Sequence, residues 1–150
     1  MNTMLQAIHD WCKPTRSSTV IELYSAKQLT IDVGETKVIQ LGVKINSDFL
    51  SDNNISEQFK KEFLNSHYLE LQIDNSLAEK GLFSVLRILS LDFQDELTIN
   101  ISNPVQARNV AFENWAPSYV IVGDPFFIEK GDKICSCMLK QHKTHLIQID

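Results

Sequence analysis

The chain has little of what marks a specialised architecture. Glycine and proline are scarce, 5 and 4 in 150 residues, which excludes collagen-like and linker-rich readings. Cysteine occurs three times, as Cys12, Cys135 and Cys137. An odd number without framework spacing is no disulfide scaffold, and Cys135 and Cys137 stand too close in sequence to bridge each other readily. A reducing, cytosolic-type compartment is the simplest reading. No apolar run approaches the roughly 18 residues of a membrane helix. The opening MNTMLQAIHDWCKP lacks the basic start and apolar stretch of a secretory signal. Positive charge is in deficit: 14 Lys+Arg against 19 Asp+Glu leave a net charge of −5, which disfavours general binding to a phosphate backbone. There is no internal repeat, low-complexity tract or internal linker.

What is present is ordinary globular material, 43% hydrophobic and 22% charged. The length suits a single domain over 1–150 that buries its own core. Leu5, Ile8 and Trp11/Cys12 fall near one face of a short N-terminal helix within 1–14, stopped before Pro14. Val20–Tyr24 reads as a strand. Leu29–Val33 and Thr36–Val43 alternate apolar and polar around the Gly34-Glu35 turn, so they are expected to pair as a hairpin. Ser56 is a candidate cap for a helix near Glu57–His67, with Phe59, Phe63 and Leu64 on one face. Tyr68–Ile73, Leu82–Ile88, Glu96–Ile101, Tyr119–Val122, Phe126–Ile128, Ile134–Leu139 and Thr144–Ile149 read as further strands. About nine or ten short strands with one or two helices imply an all-β sandwich, jelly roll or barrel.

Three stretches, in this order, resemble the trimeric dUTPase and dCTP deaminase superfamily. YSAKQLTIDVGETKVIQLGVKI, from Tyr24 to Ile45, is similar to the opening hairpin with its GET turn. SLAEKGL, Ser76 to Leu82, is similar to the SSLAxKGL segment, and DFQDELTINISN, Asp92 to Asn103, to the strand that follows it. FIEKGDKI, Phe127 to Ile134, is similar to the KGDRIAQ strand. The resemblance covers about 19–140. It implies a distorted β jelly roll or β-barrel, a homotrimer with sites between subunits, and a viral or phage setting, hence host cytoplasm or virion. Two stretches are extra to the family pattern: the helix near Glu57–His67 and a long loop at Pro104–Asp124.

The family's chemistry needs a carboxylate to activate water, a divalent ion on the triphosphate, and cations to grip the phosphates. Carried over residue by residue, most of this is gone. Glu22 keeps a carboxylate on the metal side. Arg-Ser-Ser-Leu becomes Asp74-Asn75-Ser76-Leu77, so an acid replaces the phosphate-facing arginine and only Ser76 survives. The catalytic aspartate falls on Ser90, and the glycine that lets base and sugar approach falls on Arg87. Phe93 keeps an aromatic ring without its hydroxyl. In the deaminase alignment the catalytic glutamate falls on Asn100. Gly131 and Asp132 remain, Lys133 replaces arginine, and glutamine falls on Ser136. The final QHKTHLIQID holds no glycine where the family has a glycine-rich cap.

The resemblance therefore implies a fold kept and a catalytic site discarded. The residues of the relic nucleotide or metal site are Glu22, Ser76, Lys80, Asp92, Phe93 and Asp132, with no catalytic residue assigned and no cofactor. The work expected is binding, of a protein partner or a deoxynucleotide, or a structural role in an assembly. The alternative is a divergent dUTP diphosphatase or dCTP deaminase using Mg²⁺. It needs Asp92 or Glu96 as base and a phosphate grip from Lys80, Arg87 or Lys133. A third reading is a jelly-roll structural protein with accidental matches. Phe112, Trp115 and Tyr119 in the extra loop form a candidate partner surface, with a satellite core as the even alternative. Cys135, Cys137, His142 and His145 have spacing a metal tolerates, but two strand cysteines more often pack as small apolar groups. Asp92, Asp95 and Glu96 read as a solvated hairpin tip, and Asp132 as a turn residue serving the backbone.

Overall fold

The computed structural model describes residues 4–46, 48–113 and 116–142, and over 106–122 the backbone alone. Its strands are β1 (Leu5–Ala7), β2 (Thr15–Ser17), β3 (Val20–Tyr24), β4 (Leu29–Ile31), β5 (Glu35–Gln40) and β6 (Val43–Ile45). After helix α1 (Glu57–Ser66) come β7 (His67–Ile73), helix α2 (Asn75–Glu79), β8 (Arg87–Ser90) and β9 (Thr98–Asn103). The last four are β10 (Gln106–Glu113), β11 (Ala116–Val122), β12 (Phe126–Ile128) and β13 (Lys133–Gln141).

One five-stranded sheet runs β2-β3-β13-β7-β8, and four two-stranded pairs surround it: β1-β6, β4-β12, β5-β9 and β10-β11. Every pairing is antiparallel. The result is an all-β jelly roll with two short helices. The five-stranded sheet keeps two edges, β2 and β8, so it does not close into a barrel. Alternation does the local work: in β13 the pattern ICSCMLK buries Ile134, Cys135 and Cys137, and in β9 it buries Ile99 and Ile101. These join Leu23, Leu41, Leu69, Leu71 and Leu97 in one apolar cluster. A fully buried Leu or Ile contributes about 1.5–3 kcal/mol relative to exposure.

Several expected elements differ. The N-terminal helix is instead β1 followed by a 3-10 turn, Asp10–Cys12. Leu5 and Ala7 stand opposite Ile45 and Val43, and the backbone hydrogen bonds of that pairing outweigh a helical pattern too short to nucleate. The segment then folds onto its own chain: Ile8 N–H donates to Gly42 O at 2.7 Å, and Trp11 Nε1 donates to Ala26 O at 3.1 Å. β4 and β5 do not pair with each other. β4 takes β12 and β5 takes β9. Gly34, at φ +84°, sends its N–H to Asn103 O at 2.6 Å, so the turn is a corner between sheets. The strand expected over Leu82–Ile88 is shifted to β8, leaving only a bridge from Phe83 to Ser102. The Pro104–Asp124 stretch is no loop but the β10–β11 ribbon, with a register shift between Asn109 and Ala111. Thr144–Ile149 lies outside the described residues.

Helix α1 begins where Ser56 predicts, with Phe59 N–H donating to Ser56 Oγ at 3.1 Å. None of its residues is fully buried. It holds on through Phe63, which meets Phe49 edge-on at 6.0 Å and stacks on His67 at 4.0 Å. Phe59 stays half-exposed on its outer side.

Candidate functional site

Two polar neighbourhoods gather most of the residues the sequence singles out. The first lies where β3, β13 and the end of β7 meet. Lys133 opens β13 opposite Tyr24 of β3. Its ammonium lies 3.0 Å from Glu22 Oε1 and 3.3 Å from Asp74 Oδ1. Asp74 caps α2, accepting the Ser76 N–H at 3.1 Å and the Ser76 hydroxyl. Thr15 Oγ1 donates to the other oxygen of Glu22 at 3.3 Å and also meets the Tyr24 hydroxyl. The network thus runs Tyr24, Thr15, Glu22, Lys133, Asp74, Ser76.

Its electrostatics follow from that geometry. Burial pushes the Asp74 carboxyl up, but the Ser76 hydroxyl and N–H and the Lys133 ammonium outweigh it and hold it below the usual range. Hydrogen bonds to Glu22 and then Asp74 raise the Lys133 ammonium above its ordinary value. A lysine between two carboxylates carries no spare positive charge to offer a phosphate. A divalent ion fits no better. Glu22 already faces an ammonium, and no group of three or more His, Cys, Asp or Glu side chains converges among the described residues.

The second neighbourhood surrounds β8 and β9. Arg87 Nη1 donates to both the carbonyl and the hydroxyl of Thr98, and its guanidinium lies over the Phe93 ring at 5.5 Å. The side chain therefore fills the room beside Phe93 that a glycine would leave open. Ser90 Oγ donates to Asp92 Oδ1 at 2.5 Å. Asn100 stands on β9 opposite Val38 of β5.

The six expected relic residues are thus only partly united. Glu22 and Ser76 share the Lys133 network, while Asp92 and Phe93 belong to the Arg87 neighbourhood. Lys80 is placed over the Phe126 ring at 5.5 Å. Asp132 serves its own turn, its Oδ2 accepting Glu129 N–H at 2.9 Å. Glu96 departs from the solvated tip: its Oε2 is buried with no hydrogen-bond partner, while Asp92 and Asp95 are exposed. Cys135 and Cys137 are core residues. Burial first, then Cys137 and Asp74, pushes the Cys135 thiol far up, and burial raises Cys137 to about 12. Both stay protonated and pack as small apolar groups. His142 lies against Tyr68 at 4.4 Å, away from any metal cluster among the described residues. His145 and Trp115 are outside the described residues; Phe112 and Tyr119 lie on β10 and β11, where the backbone alone is described. Thr15, Tyr24 and Thr98 were not signalled by the sequence, since only strand register brings them to the acids and to Arg87.

The strand order and the position of these two clusters define a class: an all-β protein with the dUTPase fold. Solved structures match it at low identity across nearly the whole chain. A mutant of the Staphylococcus bacteriophage 80alpha dUTPase with dUpNHpp superposes with a TM-score of 0.69 at 17% identity, covering 100% of this chain and 88% of that one. The dUTPase of phage phi11 of S. aureus gives 0.67 at 17%, covering 99% and 95%. The native dUTPase of EIAV gives 0.62 at 16%, covering 97% and 93%. No protein-family model and no curated protein matches the sequence.

Proposed function

We propose that this is a non-catalytic protein of the dUTPase fold, one domain over 1–150, that acts by binding and assembles as a homotrimer. The observation that carries the reading is Lys133 held between Glu22 and Asp74. At the place where the family resemblance puts a phosphate grip, this chain has satisfied its cation internally. Ser90 and Asn100 stand where the resemblance puts an acid or base, and neither is one at neutral pH. Arg87 fills the approach beside Phe93.

The outer side of the molecule supports assembly. Val38, Phe83, Val85, Leu86 and Ile88 are all large, apolar and exposed, and an exposed apolar cluster of this kind marks an association surface. The β10–β11 ribbon supports a protein partner. Among the described residues it pairs with no other strand, and an isolated two-stranded ribbon is marginal in water until it packs on something. Phe112 and Tyr119 belong to its two strands. One structural neighbour is described as a phage dUTPase that controls transfer of virulence genes by a proto-oncogenic G protein-like mechanism, and a regulatory role for this chain is part of the proposal. No helix of the described residues is long and apolar enough to cross a membrane. The reducing compartment read from the cysteines, host cytoplasm or virion, is part of the proposal.

The test is product release from dUTP and dCTP with and without Mg²⁺. Neither pyrophosphate nor ammonia is expected. The second reading, a divergent dUTP diphosphatase, has one observation in its favour: Asp92 lies 2.5 Å from Ser90, so a carboxylate stands beside the vacated base position. Pyrophosphate release that disappears in Asp92→Asn would establish it.

A further inference from the structure

We propose that Glu96 and Lys44 hold a free α-amino acid with an apolar side chain on the outer face of the β1–β6 pair. Leu5, Val43 and Ile45 turn into the core, so Gln6 and Lys44, which stand opposite each other, occupy the other face. The Leu97 N–H donates to Val43 O at 2.9 Å and brings Glu96 alongside. The result is a groove of about 550 Å³ lined by Gln6, Ala7, Ile8, Lys44 and Glu96. That size suits a small molecule, since ligand pockets hold roughly 300–1,000 Å³. The groove shares no residue with the Lys133 network, the Arg87 neighbourhood or the apolar surface given to the homotrimer.

Two opposite charges line this groove, and neither is used within the described residues. Glu96 Oε2 is buried with no hydrogen-bond partner. Glu96 lies near Cys12, whose thiol is raised first by burial and then by this carboxylate. That thiol gives Glu96 no hydrogen, because it is directed to Ser25 O at 3.5 Å and Tyr24 O at 3.9 Å. Lys44 is exposed, and its ammonium makes no ion pair or hydrogen bond among the described residues. The two charges therefore do not neutralise each other. A buried acceptor left without a donor costs free energy that a bound donor recovers. A carboxylate only accepts and an ammonium only donates, so the fitting occupant carries an N–H cation for Glu96 and an acid for Lys44. Ile8, 43% exposed on the wall, is apolar surface that an aliphatic side chain would cover. A free α-amino acid carries both charges on one carbon beside such a side chain. Either end of a peptide carries only one of them.

The experiment titrates the intact protein with L-leucine by calorimetry and locates the binding by chemical-shift changes at Gln6 and Ile8. L-Leucinamide keeps the ammonium and lacks the acid. N-acetyl-L-leucine keeps the acid and lacks the ammonium. Glycine keeps both charges and lacks the side chain. The expected result is saturable binding of leucine, with leucinamide and N-acetylleucine each at least about tenfold weaker, the size of one charge-assisted hydrogen bond. Glycine should bind more weakly than leucine. In Lys44→Met, a change at an exposed position, leucine should bind no better than leucinamide. In Glu96→Gln it should bind no better than N-acetylleucine. Absence of leucine binding overturns the proposal. So does leucinamide or N-acetylleucine matching leucine in the unsubstituted protein, or undiminished leucine binding by Lys44→Met. A rise in stability in Glu96→Gln, with no leucine bound by either protein, would leave an ordered water as the partner of Glu96 and also defeat it. Turnover of dUTP would sink the non-catalytic reading and leave the outcome of this titration untouched.

Discussion

Lys133 shows how one side chain redirects a site. Its two carboxylate partners are partly exposed, at 23% for Glu22 and 15% for Asp74, so solvent screens the network and each pair is worth at most about 1 kcal/mol. Lys133→Ala should therefore destabilise the protein by about 0.5–1 kcal/mol in chemical denaturation, by leaving two acids facing each other. The pH profile follows from the same contacts. The Asp74 carboxyl is lowered in the folded state, so its contribution is present above the unfolded value near about 3.9 and is lost as pH falls through the folded one. The Lys133 ammonium is raised, so its contribution is present below about 10.4 and is lost as pH rises through the folded value. Denaturation midpoints measured across pH should fall at both ends, and in Asp74→Asn the acid limb should shrink. Gly42 carries a different constraint. It sits at φ +64°, and a Cβ there would meet Cys12 Sγ at 2.5 Å and Cys12 Cβ at 2.7 Å. Gly42→Ala should cost about 1–3 kcal/mol, read from the thermal midpoint.

Among the elements, α1 depends most visibly on a local signal. Its Ser56 cap, its early Glu57 and the Glu57–Lys60 pair at 3.1 Å are all sequence-local features, which is why its position was legible. Ser56→Ala should cost about 1 kcal/mol of helix stability, seen as faster amide exchange confined to α1. The strands behaved differently. Period-two alternation identified β3, β7, β12 and most of β13, because it states which face is buried. It did not identify partners: β4 and β5 look like a hairpin, yet β4 hydrogen-bonds β12 and β5 hydrogen-bonds β9, both far away in sequence. Likewise β1 reads as a helix until Val43 and Ile45 are placed beside it. Of the β10–β11 ribbon only Tyr119–Val122 reads as a strand in the sequence, since Pro117 and the register shift between Asn109 and Ala111 interrupt the alternation elsewhere. As a ribbon that pairs only with itself among the described residues, it should exchange amides and be cut by protease well before the five-stranded sheet opens.

For the molecule as a whole, the exposed apolar side of β5, β8 and the Phe83–Leu86 segment is the surface that the proposed homotrimer would cover. Light scattering coupled to size exclusion should give three times the 17.1 kDa chain mass. Val85→Asp, at a position 73% exposed in the isolated chain, should shift that distribution toward monomer without lowering secondary structure by circular dichroism. A monomer in both proteins would refute the trimer.

The order of the short motifs, the scarcity of glycine and the residues at the motif positions are linear facts, and the family resemblance, with the catalytic loss proposed from it, rests on them. Register and sheet partnership are not linear. They place Lys133 between Glu22 and Asp74, bring Thr98 under Arg87, and leave Glu96 Oε2 buried and unpaired. The physical reason is that side-chain alternation records burial one residue at a time, whereas an ion pair or an anchored guanidinium depends on which distant strands hydrogen-bond together and at what offset. A single-residue slip of β13 against β3 would turn Lys133 to the opposite face and free both acids.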